Sequence, residues 1–561
     1  MLNQSTPLQS QYSVIVVGGG SVGLSLAAEL GWRGISCLVV EERDGLNPHP
    51  RANAVANRTM EYYRRWGIDQ AITDAGIPPT LPAEYLWVSS LHGREIHRVS
   101  LPPFSELVAT RDIDSYAKDE HNWSPYLKTI TGQNEVEEVL LDYVASLPSV
   151  DFRFGYRLVD FSDQSELSQG ESVQCEIENT AAGMVETINA NYLVGCDGGR
   201  SVVRRGLSIE YAGTPALASF VSVFFRAPDM INQHTFGHGN IFFPLHRDHR
   251  GFLLTWDHDC TYTYHLVLDE QQNWSEIDPQ RAIRDLVGAE FEIDVLSVQP
   301  WTAHALVAEQ YVQGRVALAG DAAHLFSPTG GFGMNTGVSD AIDLGWKLEA
   351  LLNGWGGPRL LGSYHRERQP VGQRNTQEAA DCFHQLFAVM QHGAEIDEAS
   401  TAGEQLRSEL GVAVKAQEKL IASSGTLLGY RYEGSDIIVG DDTPEPADDP
   451  RRYRPVARPG HRAPHAWLEN GDALYDRFGA GFTLLQLGPR DTEAAAFQAA
   501  AREIGLPLEV VNLNDPYVLQ IYESDLVLIR PDLMIAWRSS LQESPEVVVN
   551  ARAILNCVRG G

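Results

Sequence analysis

Three glycine-rich turns carry the residues whose types and spacing could do chemistry. The first, Gly18-Gly19-Gly20-Ser21-Val22-Gly23, has the form G-x-G-x-x-G. At the start of a helix such a turn bares backbone N–H groups, which with the helix dipole can meet a pyrophosphate. Glu41 follows 23 residues after Gly18 at the end of an apolar run, where a carboxylate can accept from ribose hydroxyls. The pattern indicates a dinucleotide and does not choose between FAD and NAD. The second turn, Asp197-Gly198-Gly199, ends the run from Tyr192 and precedes Arg204 and Arg205. The third, Gly320-Asp321, ends the run Arg315 to Ala319.

These turns need strands and helices to hold them. Val14 to Val17 reads as a buried parallel strand, Ser21 to Gly34 as a helix with Leu24, Ala27, Ala28 and Leu30 inward, and Ser36 to Val40 as a second strand. That is one βαβ unit. From Pro79 to Thr110 and from Leu207 to Trp301 the pattern changes to strand-like segments (Ser219–Phe225, Gly251–Trp256, Thr261–Leu268), which suggest a largely antiparallel sheet. Arg315 to Ala319 is again a buried strand, and Asn335 to Leu352 and Ser363 to Leu420 read as helical. A Pro-rich stretch, acidic then basic, runs from Glu433 to Pro464 and reads as a linker. After it come a strand (Phe482–Leu487), a helix (Glu493–Ile504), a strand (Leu508–Val511) and a strand pair (Leu526–Arg530, Met534–Arg538), the order of a thioredoxin-like domain.

The segments Tyr192–Ser201 and Arg315–His324 resemble the DG and GD fingerprints of the class A flavoprotein aromatic hydroxylases, the para-hydroxybenzoate hydroxylase-like family. The resemblance continues through Ser327–Gly337, Asp340–Leu348, Ser363–Thr376, Pro50-Arg51-Ala52, Asn57–Glu61 and Gln133, in order over residues 12–376. In Ser327–Gly337 the glycines would let backbone N–H groups approach a planar ring and stabilise its negative charge when reduced. The resemblance implies FAD held by Gly18, Gly20, Ser21, Val22, Gly23, Glu41, Arg51, Gln133, Asp197, Gly198, Gly320, Asp321, Pro328, Gly331, Gly333, Met334 and Asn335. Only one strand–G-x-G-x-x-G–helix unit is present, which leaves no standing NAD(P) site of Rossmann type, and the resemblance implies NADPH or NADH as a transient co-substrate. The implied reaction uses O₂ to hydroxylate a phenolic or similar aromatic substrate through a flavin C4a-hydroperoxide. The segment Tyr522–Asp532 is similar to the subgroup with a thioredoxin-like tail, which includes phenol, hydroxyphenylpropanoate and polyketide hydroxylases. Without a CxxC pair the tail is expected to be structural and to help form a homodimer.

The expected fold is α/β: a Rossmann-like FAD-binding domain (1–80, 111–205 and 302–376), an inserted, mainly antiparallel substrate sheet (81–110 and 206–301), a helical connection (377–432), a linker (433–464) and a thioredoxin-like domain (465–561). The net charge of -31 argues against nucleic-acid and membrane partners. Six scattered cysteines, no metal-ligand spacing, no signal pattern at Met1 to Gln11 and no apolar run of about 20 residues lead to the expectation of a metal-free cytoplasmic protein.

No catalytic base is assigned. In phenol hydroxylase-like members an aspartate acts where this chain has Asn53, which cannot serve as a base. His246, His258, Asp259 and Tyr264 are candidates from the sheet, His324 lies near Asp321, and Phe242 and Phe243 could line an aromatic pocket. Competing readings are another flavin-dependent reaction, such as epoxidation, halogenation or saturation of a prenyl chain, and a non-catalytic protein that holds FAD or a ligand. The halogenase tryptophan motif is absent, and the missing dithiol disfavours a thiol oxidoreductase.

Overall fold

The computed structural model describes residues 7–106, 110–116, 118–164, 172–257, 260–417, 420–421, 423–540 and 550–561. His258 and Asp259 lie outside the described residues.

The apolar run of the first turn becomes the strand Gln11–Val17, the centre of a parallel sheet. Cys37–Glu41 pairs on one side and Met184–Gly195 on the other, with Val150–Phe154 and Val316–Leu318 beyond them. Every residue of Cys37–Glu41 and Val316–Leu318 is buried, as expected of strands covered on both faces. Register places the site: Val17 stands opposite Val40 and Gly195, and Gly195 opposite Leu318. The strands therefore end level, and all three glycine turns leave from the same carboxyl edge, where ligands of open α/β sheets bind. Helix Ser21–Trp32 packs between helices Gln133–Ser146 and Phe332–Leu352.

The second sheet has eight strands. Its pairs are antiparallel except for Ala83–Val88 with Ile241–Pro244, two segments far apart in sequence. One face, with Val223, Leu253 and Tyr264, packs on Ile283, Leu286 and Val287 of helix Pro279–Val287. The other face, with Phe220, Phe243, Phe252 and Leu254, looks toward Phe383 and Leu386 of helix Leu360–Ala388.

The helical stretch expected from Ser363 to Leu420 is two helices, Leu360–Ala388 and Thr401–Lys415. Ser400 starts the second by accepting from Gly403 N at 3.2 Å. The tail forms a four-stranded sheet in the order Leu508–Asn512, Phe482–Gln486, Leu526–Ile529, Ile535–Arg538, its first pair parallel. A helix not read from the sequence, Pro516–Tyr522, follows the second strand. Its start signal is Asp515-Pro516, and the Asp515 carboxylate accepts from Tyr517 N and Val518 N at 3.1 and 3.4 Å. No described helix is long and apolar enough to cross a membrane.

Residues 433–464 are held against the tail: Val439 N, Gly460 N and Ala463 N donate to Ala536 O, Ile535 O and Leu533 O at 2.8–2.9 Å. Beside them runs a fully buried ion network. Lys347 Nζ donates to Asp343 at 2.7 Å and Glu367 at 2.5 Å. Arg530, from the tail, donates to Glu367 at 2.6 Å, Asp343 at 2.9 Å and Asp532 at 2.7 Å. Burial lifts the Asp343 carboxyl above its ordinary range. Burial acts the same way on Glu367, but Arg530 and Lys347 outweigh it and keep that group ionised. Removing one partner would leave charge buried without compensation, so Arg530→Met should lower unfolding stability by about 3–5 kcal/mol. Chemical denaturation of wild type and variant checks this.

Candidate functional site

At the first turn, Gly18 has φ +103° and a Cβ there would stand 2.4 Å from Cys196 O; at Gly23 it would stand 1.9 Å from Gly18 O. These two glycines let strand, turn and helix approach each other. Gly20 is different, since its Cβ would meet protein no nearer than 3.7 Å. Glu41 accepts from Gly19 N at 2.7 Å, and from Arg43 N and Nε at 3.1 and 2.7 Å. Burial opposes its ionisation, yet Arg43 and the Gly19 N–H hold the carboxyl below its ordinary range. Glu137 accepts from Ser21 N at 3.0 Å and Gln133 Nε2 at 2.7 Å, and burial lifts its carboxyl. Arg43 and Glu137 were not read from the sequence. The signal for Glu137 was its position one helical turn after Gln133.

The Asp197 carboxylate accepts from Val202 N at 2.6 Å and Val203 N at 3.2 Å through Oδ2, while Oδ1 is buried without a protein partner. Behind the third turn, Asp340 accepts from Gly320 N at 3.2 Å and Arg368 Nε at 2.8 Å and lies 2.6 Å from His324 Nε2. His324 is fully buried behind the turn and does not line the cavity described below. Asn335 spends its whole amide on protein: Oδ1 accepts from Ala56 N and Thr59 Oγ1, and Nδ2 donates to Ala54 O and Gly331 O. It ties residues 54–59 to the start of helix Phe332–Leu352.

A cavity of about 1480 Å³ opens along the carboxyl edge and continues under the second sheet. Fourteen residues expected at the cofactor line it: Gly18, Gly20, Ser21, Val22, Glu41, Arg51, Gln133, Asp197, Gly198, Asp321, Pro328, Gly331, Gly333 and Met334. Gly23, Gly320 and Asn335 do not line it, and the contacts above place them in the wall behind it. The lining fits FAD. It offers the start of helix Ser21–Trp32 for a pyrophosphate, Glu41 for a ribose, the unpartnered Asp197 Oδ1, and the start of helix Phe332–Leu352 for the isoalloxazine. At Gly331 and Gly333 an added Cβ would meet protein only at 3.6–3.7 Å, so their missing side chains leave room in the cavity itself. The volume exceeds the roughly 300–1,000 Å³ of an ordinary small-molecule pocket, enough for cofactor and substrate together.

The far half is lined from the second sheet. Gln299, Ser222, His265 and Phe252 stand in register across four neighbouring strands, and all four line the cavity. His49 also lines the cavity, with Nδ1 2.6 Å from Ser297 Oγ and Nε2 2.7 Å from Ser222 Oγ. Burial pushes its imidazole down to about 4, helped by Arg51. Tyr85, Ile241, Phe243, Leu254 and Trp301 add apolar wall, with Leu386 from the facing helix. Lys128 also lines the cavity, and burial lowers its ammonium to about 8. Of the earlier candidates, Asn53 and Phe243 line the cavity. Phe242 and Tyr264 belong to the opposite face, Tyr264 donating to His249 O at 3.0 Å, and His246 caps a surface turn. Among the described residues no metal-ligating cluster occurs.

Comparison with known proteins agrees with this site. Residues 11–379 match the family model described as FAD binding domain, and residues 456–556 the model described as aromatic-ring hydroxylase, C-terminal. An FAD-dependent monooxygenase, apdD, of Emericella nidulans is 31% identical over 97% of this chain and 90% of its own. Aklavinone 12-hydroxylase RdmE of Streptomyces purpurascens is 32% identical over 94% of this chain and 95% of its own. The solved structure of RebC, soaked with chromopyrrolic acid and holding 7-carboxy-K252c, superposes with a TM-score of 0.86 at 32% identity over 99% of this chain and 100% of its own. The chain belongs to the FAD-dependent aromatic-ring hydroxylases, the class A flavin monooxygenases, and is an enzyme of that class.

Two outcomes are expected. Gly23→Ala should purify with most of its FAD missing, read as the ratio of flavin to protein absorbance, because its Cβ meets backbone. His49 and His265 stay neutral in the fold down to about 4 and about 3, against an ordinary 6.5. Below pH 6.5 the unfolded chain binds protons that the fold refuses, so unfolding stability should fall as pH drops toward 4. Their replacement by Gln should flatten that slope in denaturation measured across the window.

Proposed function

We propose that the chain hydroxylates a flat, multi-ring phenolic substrate, with NADH or NADPH as the reductant. The observation that carries this reading is the cavity of about 1480 Å³, whose far half has a broad apolar and aromatic wall crossed by a row of polar groups. The relative named as aklavinone 12-hydroxylase and the RebC structure with its bound ligand support the same reading.

In balance, a ring C–H, O₂, NAD(P)H and one proton become a ring C–OH, water and NAD(P)⁺. FAD, when bound, accepts the hydride and activates O₂. The chain's own contribution is placement. Glu41 and the first turn would hold the adenosine end of the cofactor, and Asp321 with residues 331–334 would surround its ring end. The sheet wall and helix Leu360–Ala388 keep water from the substrate. No carboxylate from the described residues of the second sheet lines the cavity; its acids, Glu41, Glu42, Glu137, Asp197 and Asp321, all come from the first domain. From the second sheet the substrate hydroxyl would meet imidazole, hydroxyl or amide groups rather than a carboxylate.

The test is NADH and NADPH oxidation by the purified FAD-loaded enzyme with phenol and with hydroxyanthraquinones, recording product mass and peroxide. A hydroxyanthraquinone should accelerate oxidation and gain one oxygen atom, and phenol should do neither. Turnover of phenol alone, or peroxide as the sole product, would refute the multi-ring reading.

A further inference from the structure

In the cross-sheet row, His265 is the buried polar side chain left without a partner. It is 5% exposed, and both ring nitrogens are buried without a hydrogen-bond partner in the protein. Its neighbour in the row, Ser222, is engaged by His49. Only ring contacts hold the imidazole: it stacks on Phe252 with centroids 4.5 Å apart and meets Trp301 edge-on at 5.6 Å. The Trp301 indole N–H is likewise buried without a partner. Burial keeps the imidazole neutral, so it offers one donor and one acceptor. A core position would be filled at lower cost by an apolar side chain, since a buried polar group without a partner loses its hydration and gains nothing. Three unpaired polar atoms, on two residues that both line the cavity, have that cost in common.

We propose that His265 is a specificity-determining residue that recognises an oxygen substituent on the multi-ring substrate, with the Trp301 N–H beside it as a second donor. The inference rests on the substrate reading given above. A hydroxyl or carbonyl oxygen entering beside Phe252 supplies the partner the protein withholds, and no hydrogen bond must first be broken to turn the ring toward it. Flat molecules lacking that oxygen would still fit the apolar wall but leave the nitrogens unpaired. Sites built around buried polar groups discriminate most strongly against ligands that cannot satisfy them.

The test uses binding rather than turnover. FAD-loaded wild type, His265→Leu and His265→Gln are titrated with 1,8-dihydroxyanthraquinone and with anthracene, the flat hydrocarbon of the same three-ring outline, following the flavin spectrum. Wild type should prefer the oxygenated probe by roughly tenfold or more. The leucine variant should lose that preference while binding the hydrocarbon as before, and its ligand-free melting temperature should equal or exceed that of wild type. The glutamine variant, which keeps a donor and an acceptor, should retain part of the preference. A leucine variant that keeps the full preference, whether or not it is destabilised, would overturn the role of His265. If wild type binds neither probe, the substrate reading falls and the proposal with it, an outcome distinct from an unaltered preference.

Discussion

Two carboxylates one turn apart on a single helix, Asp340 and Asp343, set the position of almost everything else. Asp340 faces the cofactor side, where it takes the Gly320 N–H and Arg368 and holds His324. Asp343 faces the tail, where it takes Lys347 and Arg530. The same helix presents its N-terminus, next to Gly331 and Gly333, to the cavity. Fully buried ion pairs contribute little net stability compared with well-packed apolar residues. What they provide here is registry: a helix pinned at both carboxylates cannot slide or rotate without stranding charge, so the N–H groups at its start keep a fixed aim.

The division of the cavity explains why a protein can join a redox cofactor to a varied substrate. The cofactor half is made of turns, each built by a few contiguous residues whose glycines are demanded by close approach or by open space. The far half is made of rows across a sheet, where Gln299, Ser222, His265 and Phe252 come from four strands. Exchanging residues of a row changes the shape offered to the substrate without touching the turns.

That division also governs what could be read in advance. The first turn and Glu41 were legible because their requirement is local: a strand, a tight turn, a helix, an acid at the next strand's end. The parallel core and the tail's strand order followed from apolar runs. The roles of Asn335 and His324 were not legible, because they depend on Ala54, Thr59 and Asp340, partners that only the fold brings near. His49 and His265 escaped for the same reason, since strand periodicity shows which residues share a face but not which face becomes a cavity wall. Helix Pro516–Tyr522 was signalled by Asp515-Pro516, a cue shorter than the apolar periodicity that revealed the other elements.

The dependence of Asp343 and Glu367 on Arg530 sets an order of events during synthesis. A nascent chain that has emerged through the helix Leu360–Ala388 already contains every turn of the cofactor half, yet two acids behind it share only Lys347. Another hundred and more residues must leave the ribosome before their second cation arrives. The buried network behind the cofactor half is therefore completed only by the last domain to be made, which makes the tail a structural part of that half.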